Sequence, residues 1–185
     1  IITCEHAGNE VPLVYRHLFA GHEETLQSHR GWDPGAEELA THLAQELKRP
    51  LFKTSITRLL VEANRSLGST DLFSEFSSFL PQSEKDKILE MYYHPYRKAV
   101  EEAVRKSDKP ALHLSMHSFT PVLNHQVREL EIGLLFDPDR ENEVNFSKKF
   151  QHELRVRLPD FRIGFNEPYK GTDDGLTTYL RRKFS

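Results

Sequence analysis

Apolar positions in this chain follow two spacings, one that fits strands and one that fits helices, and they take turns along its length. Residues 1–5 (IITCE) are a short apolar run that reads as a buried strand. Over 35–48 (GAEELATHLAQELK), Leu39, Leu43 and Leu47 recur at the interval of one helix face. Asp33-Pro34 ahead of them supplies an acidic cap and a proline suited to a first turn. Between 51 and 62 two apolar pieces, LFKTS and TRLLVE, read as a strand or a strand pair. A helical region is expected over 82–107, bent or split near Pro95, where a backbone donor is missing. Strands follow at 111–117 (ALHLSMH), 129–137 (ELEIGLLFD) and 161–165 (FRIGF), with helices at 143–157 and 175–184. Strands alternating with helices predict an α/β layered fold with a mixed, largely parallel sheet. No repeat or Gly/Ser linker divides the chain, so residues 1–185 are expected to form a single domain.

Composition narrows what such a fold would act on. The 25 basic and 28 acidic residues are interleaved, and no basic stripe advertises a nucleic-acid partner. No apolar run approaches a membrane span, and the N-terminus lacks the basic region of an export signal, so no membrane partner and a cytoplasmic location are expected. The single cysteine, Cys4, excludes an internal disulfide. A small polar ligand fits this balance best. The first residue is Ile rather than Met, which leads us to expect trimming at the start and to allow for it at the end.

Ligands of open α/β sheets gather at the carboxyl ends of strands, and two predicted strands end in histidine. His6 follows the first strand and precedes Ala7-Gly8-Asn9; His117 closes ALHLSMH before SFTP. Together at one sheet edge they would form a metal-binding pair. Asp33 at a helix entrance would complete a three-ligand set, with Glu37 and His29 as alternative donors and simple helix capping as the rival role for Asp33. Two histidines and one carboxylate leave a position open for water, as in a catalytic zinc site. Zinc lowers the pKa of bound water toward about 7 and polarises an amide carbonyl.

Arg65 beside Asn64 offers a planar donor fork for a carboxylate, against the plainer reading of a Glu62–Arg65 ion pair with Arg58 on the surface. Asn166, Glu167, Tyr169 and Lys170 stand on a Pro/Gly loop after the strand FRIGF, a place where site residues often lie. There Glu167 is a candidate general base. Cys4 with His6 as its base is a further, thiol-based possibility.

The blocks CEHAGNEVP, HRGWDPGA, TRLLVEANRS, LSMHSFTP, EIGLLFD and NEPYKG, in that order, resemble the N-formylglutamate amidohydrolase family in its broader branch. The resemblance implies a three-layer α/β/α, phosphorylase/hydrolase-like fold, related to zinc carboxypeptidases and aspartoacylases. It implies hydrolysis of the amide of a small N-acyl amino acid such as N-formylglutamate. By it, His6 and His117 match metal-ligand histidines, Asp33 the acidic position between them, and Asn64-Arg65 a pair that holds a substrate carboxylate. Arg58 would stabilise the oxyanion, Glu167 would serve as the base, and Asn166 and Tyr169 would contact substrate. A non-catalytic binding domain of the same fold and a peptidoglycan-type amidase are the rival functions. Two departures stand out. Many relatives read Asp-Leu-Asn-Arg where this chain has Glu62-Ala63-Asn64-Arg65. Relatives also continue past the position of Phe184 into a strand bearing a glutamate, so we expect Glu167 to replace it, the chain to be incomplete, or catalysis to be impaired.

Overall fold

The computed structural model describes residues 1–107, 111–123 and 125–184. In chain order its elements are β1 (Ile2–Cys4), a 3₁₀ segment (Leu13–Phe19), α1 (Glu23–Gln27), α2 (Ala36–Glu46), β2 (Leu51–Lys53) and α3 (Gln82–Ile88). A π-helical turn (Leu89–Tyr93) leads into α4 (His94–Lys106), followed by β3 (Leu114–Ser115), β4 (Val122–Leu123), β5 (Gln126–Val127) and β6 (Ile132–Leu134). The last elements are α5 (Glu141–Arg157), β7 (Ile163–Phe165) and α6 (Leu176–Phe184). Contacts group them into two compact units, Ile1–Phe119 with Gly175–Ser185, and Thr120–Asp174.

The first unit is built on a parallel sheet of order β2-β1-β3, with Ile2 opposite Leu51 and Leu114, and Thr3 opposite Phe52 and Ser115. Alternation along β1 sends Ile2 and Cys4 to one face and Thr3 and Glu5 to the other. On the first face Ile2, Cys4 and Ala7 pack with Ala36, Ala40 and Ala44 of α2. On the other, Phe52 and Ile1 meet Tyr96, Val100 and Val104 of α4 and Leu176 and Leu180 of α6. Helices therefore cover both faces, as a parallel sheet requires.

Two expectations change here, and the expected break near Pro95 takes a definite form. The core face of α2 is the alanine row, while Leu39 and Leu47 are exposed at 49% and 50%. Alanine lets the helix lie close to β1, and the leucines two turns apart lie to the side of that contact. The segment 57–63 is a set of tight turns rather than a strand: Leu60 N–H donates to the Thr57 carbonyl, Arg58 N–H to Gly31 and Glu62 N–H to Leu72. Leu59, Leu60 and Val61 are buried with Tyr15, Phe19, Phe76 and Ile88, so their hydrophobicity reports a core and not a sheet. The break near Pro95 is the π turn, whose wider register accommodates the donor that proline lacks.

In the second unit β6 and β7 pair in parallel, β4 and β5 form an antiparallel hairpin, and α5 packs against β7. Among the described residues no helix is long and apolar enough to cross a membrane.

Candidate metal centre

The carboxyl end of β1 and the chain beyond β3 bring His6 and His117 together, with ring centroids 4.9 Å apart. Met116 N–H still donates to the Thr3 carbonyl (2.9 Å) past the formal end of β3, and this extension carries His117 to the level of His6. Asp33 is delivered by a backbone bond from its own N–H to the His6 carbonyl (3.0 Å). It does not cap α2. The N-cap is Gly35, whose φ of 82° suits glycine, and the Asp33 side chain turns toward the histidines instead.

One oxygen of Asp33 gathers the cluster. Its Oδ2 lies 3.2 Å from His6 Nδ1 and 2.9 Å from His117 Nδ1, and accepts the Ser118 N–H at 3.3 Å. Each imidazole turns its other nitrogen to a different buried carboxylate. His6 Nε2 meets Glu62 Oε1, and His117 Nε2 lies 3.0 Å from Glu5 Oε2. A carboxylate on Nε2 keeps the proton there and leaves Nδ1 as the metal-facing atom, which is how histidine ligands are commonly oriented. His6, Asp33 and His117 each offer a donor atom, and these atoms lie within 4.8 Å of one another, close enough to hold a metal ion together.

The charges favour a cation. Glu5, Asp33 and Glu62 are 1%, 2% and 4% exposed, and the guanidinium in ion-pair contact with this group is that of Arg58. Its Nη1 donates to Asp33 Oδ1 (3.3 Å), and its Nε and Nη2 donate to Glu62 Oε2 (2.7 and 2.6 Å). Three buried carboxylates against one guanidinium leave an excess of negative charge that is costly unless compensated. The His117 imidazole supplies part of that compensation. Burial works to lower the pKa of His117, but its bonds to Asp33 and Glu5 outweigh this and push it up to about 10. Burial would raise Asp33, yet the hydrogen bonds from His117 and His6 hold it well below the usual carboxylate range. Glu62 is lowered to about 2, burial being overcome by the neighbouring charges of His6 and Arg58. The donor set therefore fits a divalent ion with nitrogen and oxygen preference, which would take the place of protons.

Glu62 pairs with Arg58 and His6, so the plainer reading of a Glu62–Arg65 ion pair gives way to this arrangement. Arg58 is not a detached surface residue, although its side chain remains 27% exposed. Asn64 lines the same cluster: its Nδ2 lies 3.4 Å from His117 Nε2, and its Oδ1 accepts Leu176 N–H at 2.8 Å. Arg65 follows directly, with Nη1 donating to the Asn64 carbonyl and its own carbonyl accepting the Tyr93 hydroxyl. Glu37 pairs with Lys53, and His29 Nε2 lies 3.0 Å from Ser118 Oγ, so neither alternative donor joins the trio. Cys4 is fully buried, and burial with Glu5 beside it pushes the thiol up to about 12, which argues against a thiolate nucleophile.

Asn166, Glu167 and Tyr169 belong to the second unit. Asn166 has a φ of 53°, and its Oδ1 accepts the N–H groups of Phe136 (3.0 Å) and Gly171 (2.9 Å), tying the loop to the chain beyond β6. Glu167 forms a cis peptide with Pro168. Tyr169 is half exposed and stacks with Arg128, whose guanidinium carbon stands 5.3 Å from its ring centre.

The parallel sheet of the first unit thus sets two histidines, each just beyond a strand, against an aspartate from the turn before α2, a trio that could hold a metal ion. The model of the N-formylglutamate amidohydrolase family matches residues 1–185, and the protein belongs to that family. Among solved structures, the gene product Atu2144 from Agrobacterium tumefaciens is similar at 26% identity with a TM-score of 0.82, over 97% of this chain and 73% of that one. A comparison with curated proteins returned no match.

Proposed function

We propose that the protein is a zinc-dependent amidohydrolase acting in the cytoplasm, cleaving the amide of a small N-acyl amino acid such as N-formylglutamate. The observation that carries this reading is the convergence of two Nδ1 atoms on one oxygen of Asp33, in a chain of this family. The proposal takes residues 1–185 as one domain of a three-layer α/β/α, phosphorylase/hydrolase-like fold.

His6, Asp33 and His117 hold the zinc. When bound, the ion supplies Lewis acidity to a carbonyl oxygen and acidifies coordinated water. Arg58, held by Asp33 and Glu62 yet partly exposed, presents fixed positive charge where an oxyanion would develop. Asn64 and Arg65 hold the substrate carboxylate, Arg65 through its planar fork. Glu167 takes a proton from water and passes it to the leaving amine, and Asn166 and Tyr169 contact the substrate from the same loop. The net reaction consumes one water and releases formate and glutamate from N-formylglutamate.

The test is to load the protein with zinc, add N-formylglutamate, and follow formate and glutamate release, with His117→Ala as control. Release by the wild type and loss of both zinc and release in the variant are expected. Stoichiometric zinc retained in His117→Ala contradicts the ligand assignment. Substrate binding without release makes the protein a binding domain, and release from muropeptides but not from N-formylglutamate makes it a peptidoglycan-type amidase.

A further inference from the structure

Glu5 is the part of the cluster that the reading above leaves without a task. It sits at the end of β1, is 1% exposed, and has three partners: Tyr96 Oη donates to its Oε1 (2.9 Å), Ser115 Oγ donates to its Oε2 (2.6 Å), and His117 Nε2 lies 3.0 Å from Oε2. Glu62, the corresponding partner of His6, has its charge matched by Arg58. Among the described residues no lysine or arginine pairs with Glu5, and the ion-pair partner it has is His117. Stability alone is a weak reason for a buried carboxylate of this kind, since an apolar residue of similar size in such a place is often neutral or stabilising.

The arrangement explains itself through His117. An ionised carboxylate only accepts, so it fixes the proton of His117 on Nε2 and turns Nδ1 toward Asp33. Ser115 Oγ, 2.9 Å from the same Nε2, blocks rotation of the ring from that side. His117 needs this support more than His6 does, because its side chain is 31% exposed against 2%. Tyr96 lies on α4 and is 8% exposed; its hydroxyl holds the far oxygen of Glu5, and among the described residues it makes no hydrogen bond to His6, Asp33 or His117.

We infer that Glu5, held in place by Tyr96, is a positioning residue that presents His117 Nδ1 to the cation. The inference rests on the metal reading and extends it to residues outside the ligand set.

Zinc affinity measured by competition with a chromophoric chelator tests it, together with the visible spectrum of the cobalt-substituted protein. Glu5→Gln keeps the shape and removes the pure acceptor; it is expected to weaken zinc binding by about 10- to 100-fold and to change the cobalt bands. Tyr96→Phe is expected to weaken binding several-fold, and because the Tyr96 hydroxyl hydrogen-bonds Glu5 and none of the three ligand residues, that loss passes through Glu5. It also serves if Glu5→Gln does not fold. The thermal midpoint of each cation-free variant separates loss of positioning from loss of structure. Wild-type zinc affinity and wild-type cobalt bands in the folded variants overturn the inference while leaving the metal centre standing. A wild-type protein that takes up no stoichiometric zinc overturns the metal reading itself, and this one with it.

Discussion

The strand-end cluster of the first unit and the loop 165–175 of the second are both rich in polar groups, but they use them differently. In the cluster, side chains meet side chains from distant parts of the chain: His6, Asp33, Glu62 and His117 are bound to one another. In the loop, the Asn166 amide is occupied by the backbone of Phe136 and Gly171, and Tyr169 by Arg128. Polar residues held against each other at the cost of burial mark chemistry more firmly than polar residues displayed on a turn.

That contrast is broken most severely at Asp33. Asp33→Ala removes the oxygen shared by both Nδ1 atoms, and the expected outcome is loss of stoichiometric zinc by elemental analysis with hydrolysis at background. Retained zinc would mean that the cluster is an ion-pair network alone. Glu167→Gln comes next, with an expected fall in kcat of roughly 10²- to 10⁴-fold at unchanged zinc content if it is the base. An unaltered kcat would leave the loop without a catalytic part. Arg65→Lys keeps the charge but loses the fork, and steady-state kinetics are expected to show KM raised by roughly tenfold.

Smaller effects sharpen the loop side. Asn166→Ala removes acceptance from two N–H groups and places a Cβ residue without the Asn preference at positive φ, so a loss of about 2 kcal/mol is expected in urea unfolding. Asn166→Asp, which retains the acceptor, should recover most of it. The smallest effect concerns His113, which lies 2.8 Å from Thr3 Oγ1 and whose pKa burial lowers from 6.5 to about 4. As pH falls from about 6.5 to about 4, the unfolded chain binds a proton that the native one does not, so stability declines across that window. His113→Gln should flatten the decline measured by thermal unfolding between those limits.

Much of this arrangement was legible along the chain, for reasons that differ by element. The pattern of apolar residues located β1, α2, α4, α5 and α6; β1, α2, α4 and α6 each bury apolar side chains, whereas the buried residue of α5 is Ser147. The pattern misplaced the core face of α2, since leucine was weighted above the alanines that allow close approach to β1. It also took the buried turn 57–63 for a strand, because a run of apolar residues states that a segment is covered and not how its backbone bonds. His6 and His117 were reachable from the rule that sites form at strand ends, and Asp33 from its place at a helix entrance, where capping was the rival role. Glu5 was not singled out, although a glutamate at the end of an apolar strand, next to a candidate ligand, is itself a signal of a buried partner. Tyr96, 91 residues away in sequence, carries no local mark of its bond to Glu5.

The central claim is that His6, Asp33 and His117 share one cation, and an anomalous difference map collected at the zinc edge from zinc-loaded crystals tests it most directly. The account predicts a single full-occupancy peak at about 2.0–2.2 Å from His6 Nδ1, His117 Nδ1 and an oxygen of Asp33. A peak bound through other residues, or no peak at this cluster in a zinc-active protein, would contradict it.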